Sequence, residues 1–200
     1  MAISQITSNS IAAGAVSASD LADGSITADK IASGAVTNAK IDTVAASKIT
    51  GQLTDANMAP GSVIQVVQAQ IAPTTVTTTS STPVNSSLSV SITPSSASSK
   101  ILIFFSSYGA YVPSSNQQMI GFLYRNGSDV TPAGRGWFDV ESVPYTTAVP
   151  VFAQAYDSPA STSAQTYAVY FRSVQGGNCY LLNNGPNLGS LQLVAMEIAA

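Results

Sequence analysis

The sequence predicts a mainly β protein in two parts. Residues 1–60 are expected to form a fibrous, homo-oligomeric shaft of ten-residue repeats, and residues 61–200 an antiparallel β-sandwich or jelly-roll-like head. Two observations predict this division. Glycine recurs every ten residues near the N-terminus, at Gly14, Gly24 and Gly34. From Gly61 onwards, short β-branched and aromatic runs alternate with turn residues, which is typical of antiparallel sandwiches.

The N-terminal repeat has a hydrophobic spacing that fits no uniform element. Its aliphatic residues recur every five positions, at Ile6, Ile11, Val16, Leu21, Ile26, Ile31, Val36 and Ile41. Steps of five turn by about 140° on an α-helix and change face in a strand, so neither element collects these side chains on one side. Each unit is therefore expected to combine an extended piece with about one helical turn. Ser17 or Thr27 would be the N-cap and a glycine would end the turn.

Such a repeat cannot be stable as a single chain. One helical turn is marginal in water, and two aliphatic side chains per ten residues are too few for a core. Stacking of repeats combined with lateral association of several copies would bury them, which predicts a narrow homo-oligomeric shaft. The alternative is a flexible low-complexity linker. The regular aliphatic spacing argues against that alternative, because a disordered linker has no reason to keep isoleucine in phase.

Composition excludes several functional classes. Only 8% of the residues are charged, the net charge is −3, and the seven basic residues are scattered, so nucleic acid is not an expected partner. Histidine is absent, which removes the commonest general base and zinc ligand, and neither a metal nor a cofactor is expected. The N-terminus has no secretory signal pattern and no apolar run approaches the length of a membrane span. We therefore expect folding in a cytoplasm, without membrane insertion, and a buried strand position for the single cysteine, Cys179.

The head is predicted to contain about ten strands. They are expected at residues 62–71, 74–80, 87–94, 100–112, 118–125, 137–141, 148–156, 166–174, 178–183 and 191–199. Asn126-Gly127 predicts a two-residue hairpin, because a type I′ turn needs two positive φ angles. The last predicted strand is apolar on both faces, which indicates a central strand or one covered by a neighbouring subunit.

At this level the chain resembles a known family. The stretches "DGSITADKIASGAVTNAKI", "PGSVIQVVQ", "SITPSSASSKILIFF" and "SLQLVAMEIA" together resemble the distal portions of tail-fibre proteins of tailed bacteriophages of aquatic and cyanobacterial hosts. The resemblance implies a homotrimer located in the virion. A virion-attachment segment and shaft within residues 1–60 would carry heads that recognise a host-surface glycan or lipopolysaccharide. It supplies no site residue. A purely structural virion protein, such as a head or collar fibre, is the alternative function.

The candidate receptor-binding residues come from the extended loop region 128–147. Trp137, Arg135, Tyr145 and Asp139 combine aromatic and hydrogen-bonding groups, which glycan recognition requires. The alternative for Trp137 is packing in the sandwich core. Asp139 and Glu141, two apart on a strand, would place carboxylates about 6 to 7 Å apart, within the range of inverting glycosidases. A solvated strand face is the expected explanation for that pair, and no enzymatic activity is predicted.

Overall fold

A computed structural model of the protein describes residues 11–37, 39, 41, 43–44, 58–71, 75–132, 134–141, 148–182 and 191–200. By its contacts the chain forms two units, Met1–Gln52 and Leu53–Ala200. Strands occur in the second unit and short 3₁₀ turns in the first, so the chain is mainly β. Among the described residues, no helix has the length and apolarity needed to cross a membrane.

Within residues 11–37 the N-terminal unit repeats one backbone conformation every ten residues. Single 3₁₀ turns span Ala18–Asp20 and Ala28–Lys30, after Ser17 and Thr27 as extended N-cap residues. The Asp20 carboxylate accepts the Ser17 backbone N–H at 2.8 Å, as the acidic residue of a capping box does. The Ser17 hydroxyl also donates to this carboxylate. The two hydrogen bonds lower the pKa of Asp20, and the bond from the hydroxyl contributes most.

The glycines of the repeat have a different role from the expected one. Gly24 and Gly34 lie four residues after the end of a 3₁₀ segment, each in a separate turn. In the Gly24 turn the Ser25 N–H donates to the Ala22 carbonyl at 2.9 Å. Gly24 has φ of +73°, the conformation that the third residue of a type II turn requires. The expectation that glycine ends the helical turn is therefore wrong, because Leu21 in an extended conformation already ends it.

Eleven strands build the second unit. They are β1 (Val63–Ile71), β2 (Val76–Thr78), β3 (Val84–Ile92), β4 (Lys100–Tyr111), β5 (Gln118–Arg125), β6 (Ser128–Asp129), β7 (Phe138–Glu141), β8 (Val149–Asp157), β9 (Gln165–Ser173), β10 (Cys179–Leu182) and β11 (Leu191–Ile198). The predicted strands all have counterparts, and the short β6 was missed. It is formed by the hairpin at Asn126-Gly127, whose φ angles of +50° and +81° confirm the predicted positive values.

The strands form two antiparallel sheets. In the six-stranded sheet β4 is central: it pairs with β8 along one edge and with β11 and β10 along the other, and β1 and β2 continue the sheet beyond them. In the five-stranded sheet the order is β3, β9, β5, with β6 and β7 both paired to the far edge of β5. The terminal strand β11 lies between β1 and β4, which confirms that a strand apolar on both faces is central.

The core lies between the two sheets. Period-2 alternation in β3, β4 and β11 directs every second side chain inward, where it is almost completely buried. The largest fully buried side chains are Tyr167, Phe105, Phe171, Leu88, Ile92, Ile101, Ile103, Met119, Leu123, Leu181, Leu191 and Leu193. Cys179 is buried on β10, as expected.

Candidate functional site

The predicted receptor-binding residues lie at and beside β7, the edge strand of the five-stranded sheet. A cleft of about 420 Å³ separates this strand from β8 of the other sheet, and residues 137–141 and 149–152 line it. Trp137 and Asp139 belong to this lining, and Arg135 precedes it in the chain. Tyr145 lies outside the described residues, so its position relative to the other three stays a prediction.

Trp137 is half-buried and connects the two sheets. Its ring lies 5.8 Å from the ring of Phe105 on β4, and its indole N–H donates to the Gln154 carbonyl of β8 at 2.9 Å. The Trp137 backbone N–H donates to the Gly121 carbonyl at 2.7 Å. The indole is thus neither a free-standing platform nor a fully enclosed core residue. The ring lines the cleft, while the indole N–H is occupied by its hydrogen bond to the Gln154 carbonyl.

Arg135 and Asp139 meet through a residue that the sequence did not reveal. Gln118, on β5 and only 6% exposed, donates its amide to both carboxylate oxygens of Asp139 at 2.8 and 2.7 Å. Its amide oxygen accepts a hydrogen bond from Arg135 Nη2 at 3.2 Å. The buried Gln118 amide therefore holds the Arg135 guanidinium and the Asp139 carboxylate side by side. Both Arg135 and Asp139 are exposed. The register that pairs β5 with β7 creates this arrangement, and no local signal around Gln118 indicates it.

Asp139 and Glu141 share one face of β7 and both are exposed, which agrees with the solvated strand face expected for them. Among the described residues, no three histidine, cysteine, aspartate or glutamate side chains are grouped in a way that could hold a metal ion.

The outer face of the five-stranded sheet is polar with embedded aromatic rings. Tyr124 and Tyr170 stack with their centroids 4.0 Å apart, and the Arg172 guanidinium lies 5.8 Å from the centre of the Phe122 ring. Partial burial, together with the neighbouring Asp129 and Tyr170, raises the pKa of Tyr124. Aromatic rings interspersed with hydroxyl, amide and charged groups are the chemistry that binds polar ligands.

Phe152 was not among the residues predicted for the site, and at 78% it is the most exposed of the large hydrophobic residues described. It lies on β8, where Val151, Ala153 and Ala155 point towards the core. Alternation in "VFAQAY" places Phe152 on the opposite side of the strand from Val151 and Ala153, but it does not indicate which side faces the core.

The fold and the site together define a two-part β-sandwich protein with an N-terminal ten-residue repeat. Comparison of the sequence with protein-family models and with curated proteins finds no match.

Proposed function

We propose that this chain is a homotrimeric fibre protein of a tailed-bacteriophage virion, in which the repeat forms the shaft and the β-sandwich recognises a host-surface glycan without catalysis. The observation that carries the proposal is the exposure of the repeat's aliphatic residues. Every one described is 43% to 53% exposed in the single chain: Ile11, Val16, Leu21, Ile26, Ile31, Val36, Ile41 and Val44.

That exposure has a thermodynamic consequence. Fully burying a side chain of this size stabilises a protein by roughly 1.5 to 3 kcal/mol, and the repeat offers several per chain at regular intervals. None of the described residues between 11 and 44 is buried, so this part of a single chain does not enclose the aliphatic side chains. Association of identical repeats supplies partners with the same period, which is the arrangement of a fibre shaft.

The glycan-recognition part of the proposal rests on the outer face of the five-stranded sheet. Arg135 and Asp139, held together by Gln118, offer a charged donor and acceptor on the sheet that also carries the stacked Tyr124 and Tyr170 rings. Trp137 lines the adjoining cleft. Sugars present both apolar ring faces and hydroxyl groups, so such a mixture of rings and paired hydrogen-bonding groups suits them.

Two measurements on the full chain test the proposal. Light scattering should give three times the chain mass of 20.4 kDa. Replacing both Ile26 and Ile31 by serine should lower that mass, whereas Ser33→Ala, at an exposed position of the same repeat, should not. A wild-type protein that is monomeric at micromolar concentration would overturn the fibre proposal.

Binding is tested with the labelled trimer on immobilised bacterial surface polysaccharides. The trimer is needed because three weak sites acting together give measurable avidity. Asp139→Asn should weaken binding several-fold. Glu141→Gln should not, because Glu141 lies on the same strand and face but accepts no hydrogen bond from the Gln118 amide, which donates to Asp139. A trimer that binds no polysaccharide, or whose two variants bind alike, would leave a structural virion fibre as the better interpretation.

A further inference from the structure

Part of the outer face of the six-stranded sheet carries no charge, and seven of the twelve side chains there are apolar or aromatic. Three consecutive cross-strand rows run across β1, β11, β4 and β8: Val66, Met196, Leu102 and Tyr156; Gln68, Val194, Phe104 and Gln154; Gln70, Gln192, Ser106 and Phe152. We call these twelve residues the apolar face. None of them is charged, and the first charge met along β4 is Lys100 at the strand's start.

Several members of the apolar face are strongly exposed in the single chain. Val66 is 54% exposed, Tyr156 60% and Phe152 78%. A shallow depression of about 380 Å³ lies between Phe104, Phe152 and Val194. Single exposed hydrophobic residues are ordinary on protein surfaces, but a contiguous uncharged group of them marks a contact surface.

The two outer faces of the sandwich differ in the way expected if only one of them meets water. The outer positions of the five-stranded sheet hold charged and hydroxyl groups, at Ser89, Ser91, Thr166, Arg172 and Asp139, beside the Phe122, Tyr124 and Tyr170 rings. An antiparallel sheet with one face on the core normally has a polar second face, and the five-stranded sheet follows that rule. The apolar face violates it.

We infer that the apolar face packs against the same face region of other copies of this chain, so that heads associate through their six-stranded sheets. The inference rests on the proposed homo-oligomer and adds the surface through which the heads meet. It leaves the polar outer face of the five-stranded sheet, with Arg135 and Asp139, directed towards the surroundings.

Charge favours a second copy as the occupant. Two uncharged faces meet without like-charge repulsion, and neither has to desolvate an ion. A partner recognised by electrostatic complementarity would find no charge in the three rows.

Area and chain length point to the same occupant. The three rows span five residues on each of four strands spaced about 4.8 Å apart, a face of about 320 Å². That is well below the roughly 800 Å² per partner of a stable free-standing interface. The contact therefore needs help from tethering.

Eighteen residues lie between Val44 of the repeat and Val63 of β1, a contour of at most about 65 Å. Copies joined through their repeats would hold the heads at an effective concentration of about millimolar, where a weak face suffices.

Thiol labelling of the full chain tests the inference. Gln154→Cys places a reactive group within the apolar face, and Ser89→Cys places one on the outer face of the other sheet. The two positions are matched, because both are exposed outward-facing residues of edge strands, β8 and β3. The native Cys179 provides a slow baseline, since burial raises the pKa of its thiol. Labelling in denaturant gives the intrinsic rates, and light scattering of the same samples gives the mass.

In an oligomeric sample, a polymer-linked maleimide should label the Gln154→Cys thiol at least about tenfold more slowly than the Ser89→Cys thiol. Equal rates in an oligomeric sample would overturn the inference and leave the fibre proposal intact. If the Gln154→Cys thiol is labelled slowly only after a polysaccharide is added, whether or not the Ser89→Cys thiol is slowed as well, the apolar face binds carbohydrate. That result would likewise overturn the inference. Protection in a sample with the mass of one chain would show that another segment of the same chain covers the face, and a monomer would contradict the fibre proposal as well.

Discussion

The Tyr167 hydroxyl, on a completely buried side chain of β9, donates to Asp157 Oδ2 of β8 at 2.7 Å. Arg125 Nη1 of β5 reaches the same oxygen at 2.6 Å. One carboxylate thus receives donors from two strands of the opposite sheet and links the two sheets at this end of the sandwich. Burial and the neighbouring Asp157 raise the pKa of Tyr167 well above its usual range, so the phenol stays a donor.

Asp157→Ala should destabilise the head by about 1 to 3 kcal/mol, because the buried Tyr167 hydroxyl loses its acceptor and Arg125 its partner. Thermal or urea unfolding of the full chain measures this. Tyr167→Phe should then lower the free energy of unfolding less in the Asp157→Ala background than in the wild type, because the hydroxyl has already lost its acceptor. Glu141→Ala, at an exposed position, is the control and should change stability by less than about 0.5 kcal/mol. Full additivity of the two changes would contradict the shared role of this hydrogen bond.

The hydrogen bonds of Glu197 should make the stability of the head sensitive to acid. Its side chain is fully buried, which by itself would raise the pKa, but hydrogen bonds from the Gln65 amide and from the Ser95 hydroxyl and backbone N–H outweigh burial and lower it. A carboxylate with a depressed folded-state pKa stabilises the fold above its ordinary value of 4.5. That contribution is lost as the pH falls through the lower folded-state value.

Glu197→Gln should therefore lower the melting temperature of the head at neutral pH, at a cost of about 2 kcal/mol from lost charge-assisted hydrogen bonds. The difference between the variant and the wild type should shrink as the pH falls below 4.5. Parallel melting curves across pH 7 to pH 3 would contradict this account. The wild-type curve recorded in the same buffers corrects for every other titrating group.

Trp137 supports the fold as well as lining the cleft. Trp137→Ala should cost about 2 kcal/mol, below the roughly 3 to 5 kcal/mol of a completely buried aromatic residue, because the indole is half-buried against Phe105. Trp137→Phe keeps a ring in contact and removes the donor to the Gln154 carbonyl, so it should cost about 1 kcal/mol. An unchanged unfolding midpoint for Trp137→Ala would show that the indole is held less firmly than its contacts indicate.

The repeat glycines are required for backbone conformation rather than for space. A Cβ at Gly24 would meet nothing within 4 Å, but its φ is +73°. Gly24→Ala should lower the melting temperature of the repeat, with about 1 kcal/mol lost per chain. Gly24→Asn should be tolerated better, because asparagine visits this region more readily. Equal effects of the two replacements would point to a role other than the turn.

The sequence by itself determined the features that depend on neighbouring residues. The ten-residue period predicted a repeated turn conformation, although it did not predict that Gly24 would occupy a turn of its own. β-branched and aromatic runs identified the strands, including β3 and β11, and Asn126-Gly127 identified the hairpin. Each of these signals arises from steric preferences or side-chain direction over a few residues, which are present before any tertiary contact forms.

Only the tertiary structure decided which residues from distant parts of the chain meet. Gln118 joins Arg135 to Asp139, and Gln65 meets Glu197 across 132 positions, because of strand pairings that local patterns do not encode. The exposure of Phe152 also required the fold. Alternation places Val151 and Phe152 on opposite sides of β8, but only the packing of the second sheet determines which side becomes the core.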